Sequence, residues 1–477
     1  MPIRELVTHS IDGKRVESVS GRHYDNVDPW SRQVRGQVCL GGQADVERAV
    51  SSAHSTFTSG VWSEKTTEER GGILLRLADL LEHHVDDLAM ADTRDVGKPI
   101  ARTRAVDVPR AAAIFRFFAD HARLSTSEAF PTDGQHHAYS RFEPAGVVGV
   151  ITPWNFPLLL EAWKVAPALA WGNTVVLKPA EGSPTSASLM ASLALEAGLP
   201  PGALNVVQGD GVAGHALAAS PDIQRLSFTG STATGRVVAQ AAGANLVPVG
   251  LELGGKNANL IFADTDLPSA VAWTAKAIFD NSGQVCLSGS RIYVHRDVLD
   301  EFTALLVDAA QSLRVGDPAD PATELGPLAS EAHFAKVSGY FELVAAEGGQ
   351  VLTGGPGDGW TFLPTVVTGV SSNGRISTEE IFGPFAVVVP FDDETDAVEM
   401  ANSSPYGLSA MVFTRDLARA HRVSAALRTG LVWVNCYQIR DLRAPFGGHG
   451  ISGIGRDGGT FSRDFLTEPK TVMMDLT

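Results

Sequence analysis

Cys286 lies in the run NSGQVCLSGSR. A lone cysteine is ordinarily a small buried hydrophobe. Glycine and serine around this one favour an irregular, accessible loop, which a thiolate nucleophile needs. Glu252 ends the apolar run of LELGGK. A carboxylate there is costly unless paired or functional, and burial would raise its pKa toward the range of a general base; the plain alternative is a satisfied strand-end acid. In ITPWNFP, Asn155 falls at a strand terminus, ahead of Pro157, which is suited to open a helix. Its amide can donate to a developing oxyanion or simply cap a turn. Cys39 and Cys436, in GQVCL and VWVNCY, sit in strand-like runs and read as packing residues.

Three glycine-containing loops compete for a phosphate group. Residues 209–214 and 448–453 both match G-x-G-x-x-G. The first follows a strand and opens a helix, the right context for a dinucleotide loop; the second lies far from the βα pattern and reads as structural. The segment SFTGSTATG, residues 227–235, also runs from strand to helix, with Gly230 allowing close backbone approach and Ser231 adding a hydroxyl. A helix N-terminus presents free amides to pyrophosphate. Spacing alone does not choose between 227–235 and 209–214.

The elements around these residues follow an order. Between 146 and 253, runs such as GVVGVI, NTVVLKP, ALNVVQG, RLSFTG and VPVGLEL alternate with helical patterns, which predicts a mostly parallel sheet covered on both faces. Ligands bind such sheets outside the carboxyl ends of the strands. Residues 43–125 read as helices, with apolar residues three and four apart. Residues 254–435 repeat the α/β theme, with RIYVH, FAVVVPF, SAMVFT and LVWVN as strands. The chain has 477 residues, enough for two or three domains at ~150 residues each. Lys plus Arg is 38 against 54 for Asp plus Glu, a net charge of −16; this argues against a nucleic-acid or anionic-membrane partner. Three cysteines form no disulfide framework and no His/Cys ligand cluster suggests a metal. No secretory leader or ~20-residue apolar span is read, so the expectation is a soluble, cytoplasmic protein.

Taken together, PWNFP, LKPAEGSP, FTGST, LELGGKNANLIF, GQVCLSGSR, EEIFGPF and PFGG…SGIGR resemble the aldehyde dehydrogenase superfamily in order and spacing from about residue 150 to 456. The resemblance implies an NAD-dependent dehydrogenase in which Cys286 is the nucleophile, Asn155 helps hold the oxyanion, Glu252 activates the hydrolytic water, and Lys164 supports proton movement near Glu252. It implies Lys178 and Glu181 as adenosine-ribose contacts. Glu181 would repel a 2′-phosphate, favouring NAD over NADP. Gly230 and Ser231 would meet the pyrophosphate, Glu380 the nicotinamide ribose, and Trp154 and Phe382 would pack near it. The same likeness demotes both G-x-G-x-x-G matches. A CoA-acylating relative commonly lacks the glutamate that Glu252 supplies here. The chain departs from the family pattern at Gly450, where lysine is common, and at Asp457, where glutamate is common; both departures read as matters of loop packing.

The implied fold is α/β with three parts: a Rossmann-like NAD domain from 1–122 and 146–253, an α/β catalytic domain over 254–455, and a small oligomerisation element from 123–145 and a 456–477 tail, giving a homodimer or homotetramer. Arg110, which starts PRAAAIFRFFADHAR, and Arg440, in VNCYQIRDLRAPFGG, fall on the implied substrate tunnel, where a guanidinium pair suits a carboxylate. RDLRAPFGG and GRDGGTFSRDFLTEPKTV also resemble dehydrogenases of 2-hydroxymuconic and 2-aminomuconic semialdehydes, in the breakdown of aromatic compounds. The expected substrate is therefore a small carboxylate-bearing aldehyde. The alternative is a neutral aromatic or aliphatic aldehyde.

Overall fold

Val147–Ile151 and Thr174–Lys178 are buried at every position, as strands covered on both faces must be. In the computed structural model, which describes residues 5–477, they lie inside an eight-stranded sheet. Its order is Gly453–Ile454, Val249–Glu252, Arg225–Thr229, Val147–Ile151, Thr174–Lys178, Leu204–Val206, His9–Ile11 and Lys14–Val16. The five strands from Val249–Glu252 to Leu204–Val206 run parallel. They are the five read from the alternation between 146 and 253. The three remaining strands are antiparallel edge additions. Residues 1–4, which begin the expected first domain part and the run read for a leader, lie outside the described residues.

The helical segment resolves into Gln43–Thr58, Thr67–His83, Val85–Val96 and Val108–Arg123. A π-turn at Thr103–Asp107 leads into the last of these. Such turns disturb the helical register and recur at functional sites; this one immediately precedes Arg110. The Pro157–Ala170 helix opens on its proline, whose missing N–H costs nothing in the first turn. Nearly all of its residues are buried, as in a helix apolar on all sides.

A second sheet of seven strands is ordered Gln350–Pro356, Phe362–Thr368, Phe385–Phe391, Arg291–His295, Ala258–Ile261, Ser409–Phe413 and Leu431–Val434. All its pairings are parallel except the first. Three of its strands, Ala258–Ile261, Gln350–Pro356 and Phe362–Thr368, are absent from the strands read above.

Leu251 pairs with Ile454 and Glu252 with Gly453, so 453–454 joins the first sheet. It covers the edge of Val249–Glu252, whose backbone groups would otherwise be unpaired. The C-terminal strand Thr467–Asp475 pairs along its length with His136–Pro144, and Ala129–Phe130 completes a separate three-stranded antiparallel sheet.

Candidate active site

The parallel strands of the first sheet end together. Ile151 is in register with Lys178, and Thr229 with Glu252. Asn155, Lys178, Gly230 and Glu252 therefore all stand at or just beyond the same edge, the one where open α/β sheets take ligands.

Cys286 reaches this edge from the second half of the chain. The Leu267–Phe279 helix ends in a turn where Asn281, Ser282 and Gly283 are all left-handed, with φ of 53°, 55° and 69°. Two consecutive non-glycine residues in that region are strained and need external support. Asn281 donates its amide to Asn155 O at 2.9 Å, and Ser282 donates its hydroxyl to Gly326 O at 2.8 Å. A methyl group on Gly283 would sit 2.0 Å from Gly383 O, so only glycine fits. Asn257 donates to Cys286 O at 2.8 Å and to Ser288 O at 3.0 Å. The Asn155 amide donates to Gln284 O at 2.9 Å, which holds it beside the cysteine and leaves its second N–H uncommitted. Burial pushes the Cys286 thiol up to about 12 against the opposing pull of Arg440.

Two cavities meet at Cys286. The larger is a cleft of about 470 Å³ whose walls include Trp154, Asn155, Lys178, Glu181, Gly230, Ser231, Glu380 and Phe382. Lys178 stands 3.6 Å from the exposed Glu181 carboxylate. Ser231 caps the Thr232–Gly243 helix by accepting from Thr234 N. Glu380 accepts from Gly255 N at 3.0 Å, and a methyl group on Gly254 would lie 2.2 Å from its other carboxyl oxygen. Burial raises the Glu380 pKa. The buried hydroxyl oxygens of Thr152 and Thr229, also on the cleft wall, have no hydrogen-bond partner among the described residues, as groups reserved for a polar ligand would.

The smaller cavity, about 170 Å³, has Arg110, Trp163, Glu252, Gln438, Arg440 and Phe446 on its walls, with Cys286 shared. The Arg440 guanidinium lies 4.2 Å from the Phe446 ring centroid and 5.9 Å from that of Trp163, and its Nε has no partner among the described residues. Burial and the nearby Arg110 charge lower its pKa to about 10. Burial, then the Asp457 charge, raises Glu252 well above the usual carboxylate range.

Of the expected site residues, only Lys164 lines neither cavity. Its Nζ donates to Asp457 Oδ2 at 2.7 Å, and its charge favours ionisation of Glu252. The expectation that position 457 concerns loop packing alone therefore does not hold: Asp457 also influences the charge state of Glu252. Arg443, exposed and paired to Asp441, is away from both cavities. Sequence reasoning missed His333, Lys336 and Gln438, which line the cavities; no local pattern marks them. Among the described residues no group of His, Cys, Asp and Glu could hold a metal ion.

Residues 16–472 match the aldehyde dehydrogenase family. The 2-hydroxymuconic semialdehyde dehydrogenase of Pseudomonas sp. (strain CF600) is 44% identical, over 98% of this chain and 99% of that protein. The Homo sapiens 2-aminomuconic semialdehyde dehydrogenase is 41% identical, over 98% of each. The NAD+ complex of an aldehyde dehydrogenase from Bacillus cereus superposes with a TM-score of 0.97 at 39% identity, covering 99% of this chain and 97% of that one.

Proposed function

The chain belongs to the aldehyde dehydrogenase family, and from that premise we propose that it oxidises a carboxylate-bearing semialdehyde, such as 2-hydroxymuconic semialdehyde, to the diacid with NAD. The observation that carries the choice of substrate is the pair Arg110 and Arg440 on the walls of the cavity that opens at Cys286. Two guanidinium groups in a pocket otherwise lined mainly by aliphatic and aromatic side chains suit a carboxylate.

The residues act in sequence. The Cys286 thiol loses its proton to the Glu252 carboxylate as sulfur bonds to the aldehyde carbon. The carbonyl oxygen becomes an oxyanion, held by the free Asn155 N–H and the Cys286 backbone N–H. NAD bound in the larger cleft would supply the hydride acceptor for that carbon. The oxyanion collapses to a thioester on Cys286. Glu252 releases that proton to water, its ionised form favoured by the Lys164 charge, and the carboxylate then deprotonates a second water that attacks the thioester. Cys286 leaves as thiolate and the acid is released. The cleft fits NAD by its donor set: Lys178 and Glu181 for one ribose, the capped helix start at Gly230–Ser231 for pyrophosphate, Glu380 for the other ribose, and Trp154 and Phe382 as packing rings.

The test is NADH formation from 2-hydroxymuconic semialdehyde and from benzaldehyde, by the wild type and Arg110→Ala/Arg440→Ala. The expected result is a strong preference for the anion, lost in the double variant. Equal rates on both aldehydes would leave the dehydrogenase and remove the carboxylate site. The second reading, neutral aromatic or aliphatic aldehydes, draws on the Phe156, Trp163 and Phe446 rings and the leucines in the same wall.

We further propose that 123–145 and the 456–477 tail form the oligomerisation element of a homodimer or homotetramer. The strand Thr467–Asp475 leaves Met473 73% and Met474 44% exposed, apolar surface that a second copy would cover. The remaining parts are proposed as an NAD domain, 1–122 and 146–253, and a catalytic domain, 254–455. A cytoplasmic location is proposed with them; no helix among the described residues is long and apolar enough to cross a membrane.

A further inference from the structure

We propose that the first two turns of the Glu331–Ala346 helix are a clasp on the loop that carries Glu380 and Phe382, and that His333 is a positioning residue for the cofactor through its bond to the Phe382 carbonyl. The inference rests on the reading of the larger cleft as the NAD site.

Two side chains one turn apart hold two carbonyls of the same loop. His333 Nε2 lies 2.7 Å from Phe382 O, and Lys336 Nζ donates to Glu380 O at 3.0 Å. A carbonyl only accepts, so Nε2 carries the proton. In the neutral ring this leaves Nδ1 as an acceptor. Burial keeps His333 neutral, lowering its pKa to about 4. Phe382 needs such a restraint: its φ is 64°, a left-handed conformation that a bulky residue adopts only when its surroundings impose it. On the other side, the Glu380 carboxylate is tied to Gly255 N, so backbone and side chain of this loop are held from opposite directions. The rings close the arrangement. His333 stands edge-on to Trp154 at 5.2 Å and to Phe382 at 5.9 Å, and Trp154 is edge-on to Phe382 at 5.5 Å. All three line the cleft. None of the three bonds or contacts is local in sequence, and none belongs to the thiol chemistry.

His333→Phe keeps a ring against Trp154 and removes the donor, whereas His333→Gln restores an N–H that can reach the carbonyl. Amide hydrogen exchange across 379–385 is measured in the cofactor-free chain, NAD affinity by tryptophan quenching, and hydride transfer in single turnovers. The Phe variant is expected to exchange and to lose NAD affinity by roughly tenfold, the scale of one lost hydrogen bond, with its thermal midpoint kept; the Gln variant is expected within about threefold of wild type. Wild-type exchange and affinity in the Phe variant would overturn the proposal, as would a Gln variant as impaired as Phe. Lys336→Met removes the other tether and must raise exchange at Glu380–Phe382 even if the His333 variants fold poorly; unchanged exchange there would also count against the clasp. Should the wild type itself not bind NAD, the cofactor reading fails, while the exchange data still decide the clasp.

Discussion

Lys164 donates its ammonium to Asp457 Oδ2 across 2.7 Å, joining the buried Pro157–Ala170 helix to the C-terminal glycine-rich loop. The Trp163 indole donates to the same oxygen at 3.0 Å, so one carboxylate is fixed by two neighbours on the helix. Behind it is Glu252, whose ionisation the Asp457 charge opposes and the Lys164 charge favours.

Asp457→Asn removes the opposing charge and frees Lys164 to act on Glu252. Both changes lower the Glu252 pKa. The acid limb of the kcat profile, set by the base that must be ionised, is expected to move to lower pH by up to about one unit. A pH–rate profile checks this, and a limb that stays or moves up refutes the coupling.

Glu252→Gln is expected to give a burst of NADH followed by slow deacylation, seen in stopped flow; normal steady-state turnover would remove Glu252 as the base. The same variant has a stability signature. Burial raises the Glu252 pKa in the fold, so folding favours the neutral acid relative to the ion. That contribution is fully present below the unfolded value of ~4.3 and is lost as pH rises toward the folded one. Glutamine does not ionise. The thermal midpoint of the variant relative to wild type should therefore increase with pH, and calorimetry at pH 5 and pH 8 measures it.

Arg440 is the group that pulls the Cys286 pKa down against burial. Arg440→Gln should raise it further and slow alkylation of the resting thiol by iodoacetamide at pH 8, by roughly threefold or more. Unchanged alkylation would mean that the guanidinium acts on substrate alone.

Cys286→Ala should abolish NADH production while leaving NAD binding measurable by calorimetry. Residual full turnover would take Cys286 out of the mechanism.

Glu181 is exposed and lies close to Lys178. Glu181→Gln removes the charge that would oppose a 2′-phosphate. The ratio of NAD to NADP efficiency is expected to fall roughly tenfold, an amount moderated by solvent screening. Paired kcat/KM values decide it.

The sequence by itself carried the chemistry that is local along the chain. Cys286, Asn155 and Glu252 each sit in a short run whose glycines, prolines and apolar residues already imply a loop or strand end, and the five parallel strands between 146 and 253 follow from alternation of period. The strand Ala258–Ile261 did not show itself in this way. Asn257, just before it, and Asn259, within it, look like turn residues, yet both are buried and donate their amides to the cysteine loop, at Cys286 O, Ser288 O and Gly289 O. Polar residues chosen for a partner some 30 positions away break the local pattern that would reveal the strand. Only the tertiary structure set Asp457 against Lys164, 293 positions apart, His333 against Phe382, 49 apart, and Gly453–Ile454 against Val249–Glu252. Hydrogen bonds and charge interactions act over a few ångströms of space, whereas periodicity reports only which face of an element is apolar. The candidate reacting groups were therefore legible along the chain. Their pKa values and their supports were decided by which distant segments the fold packs against them.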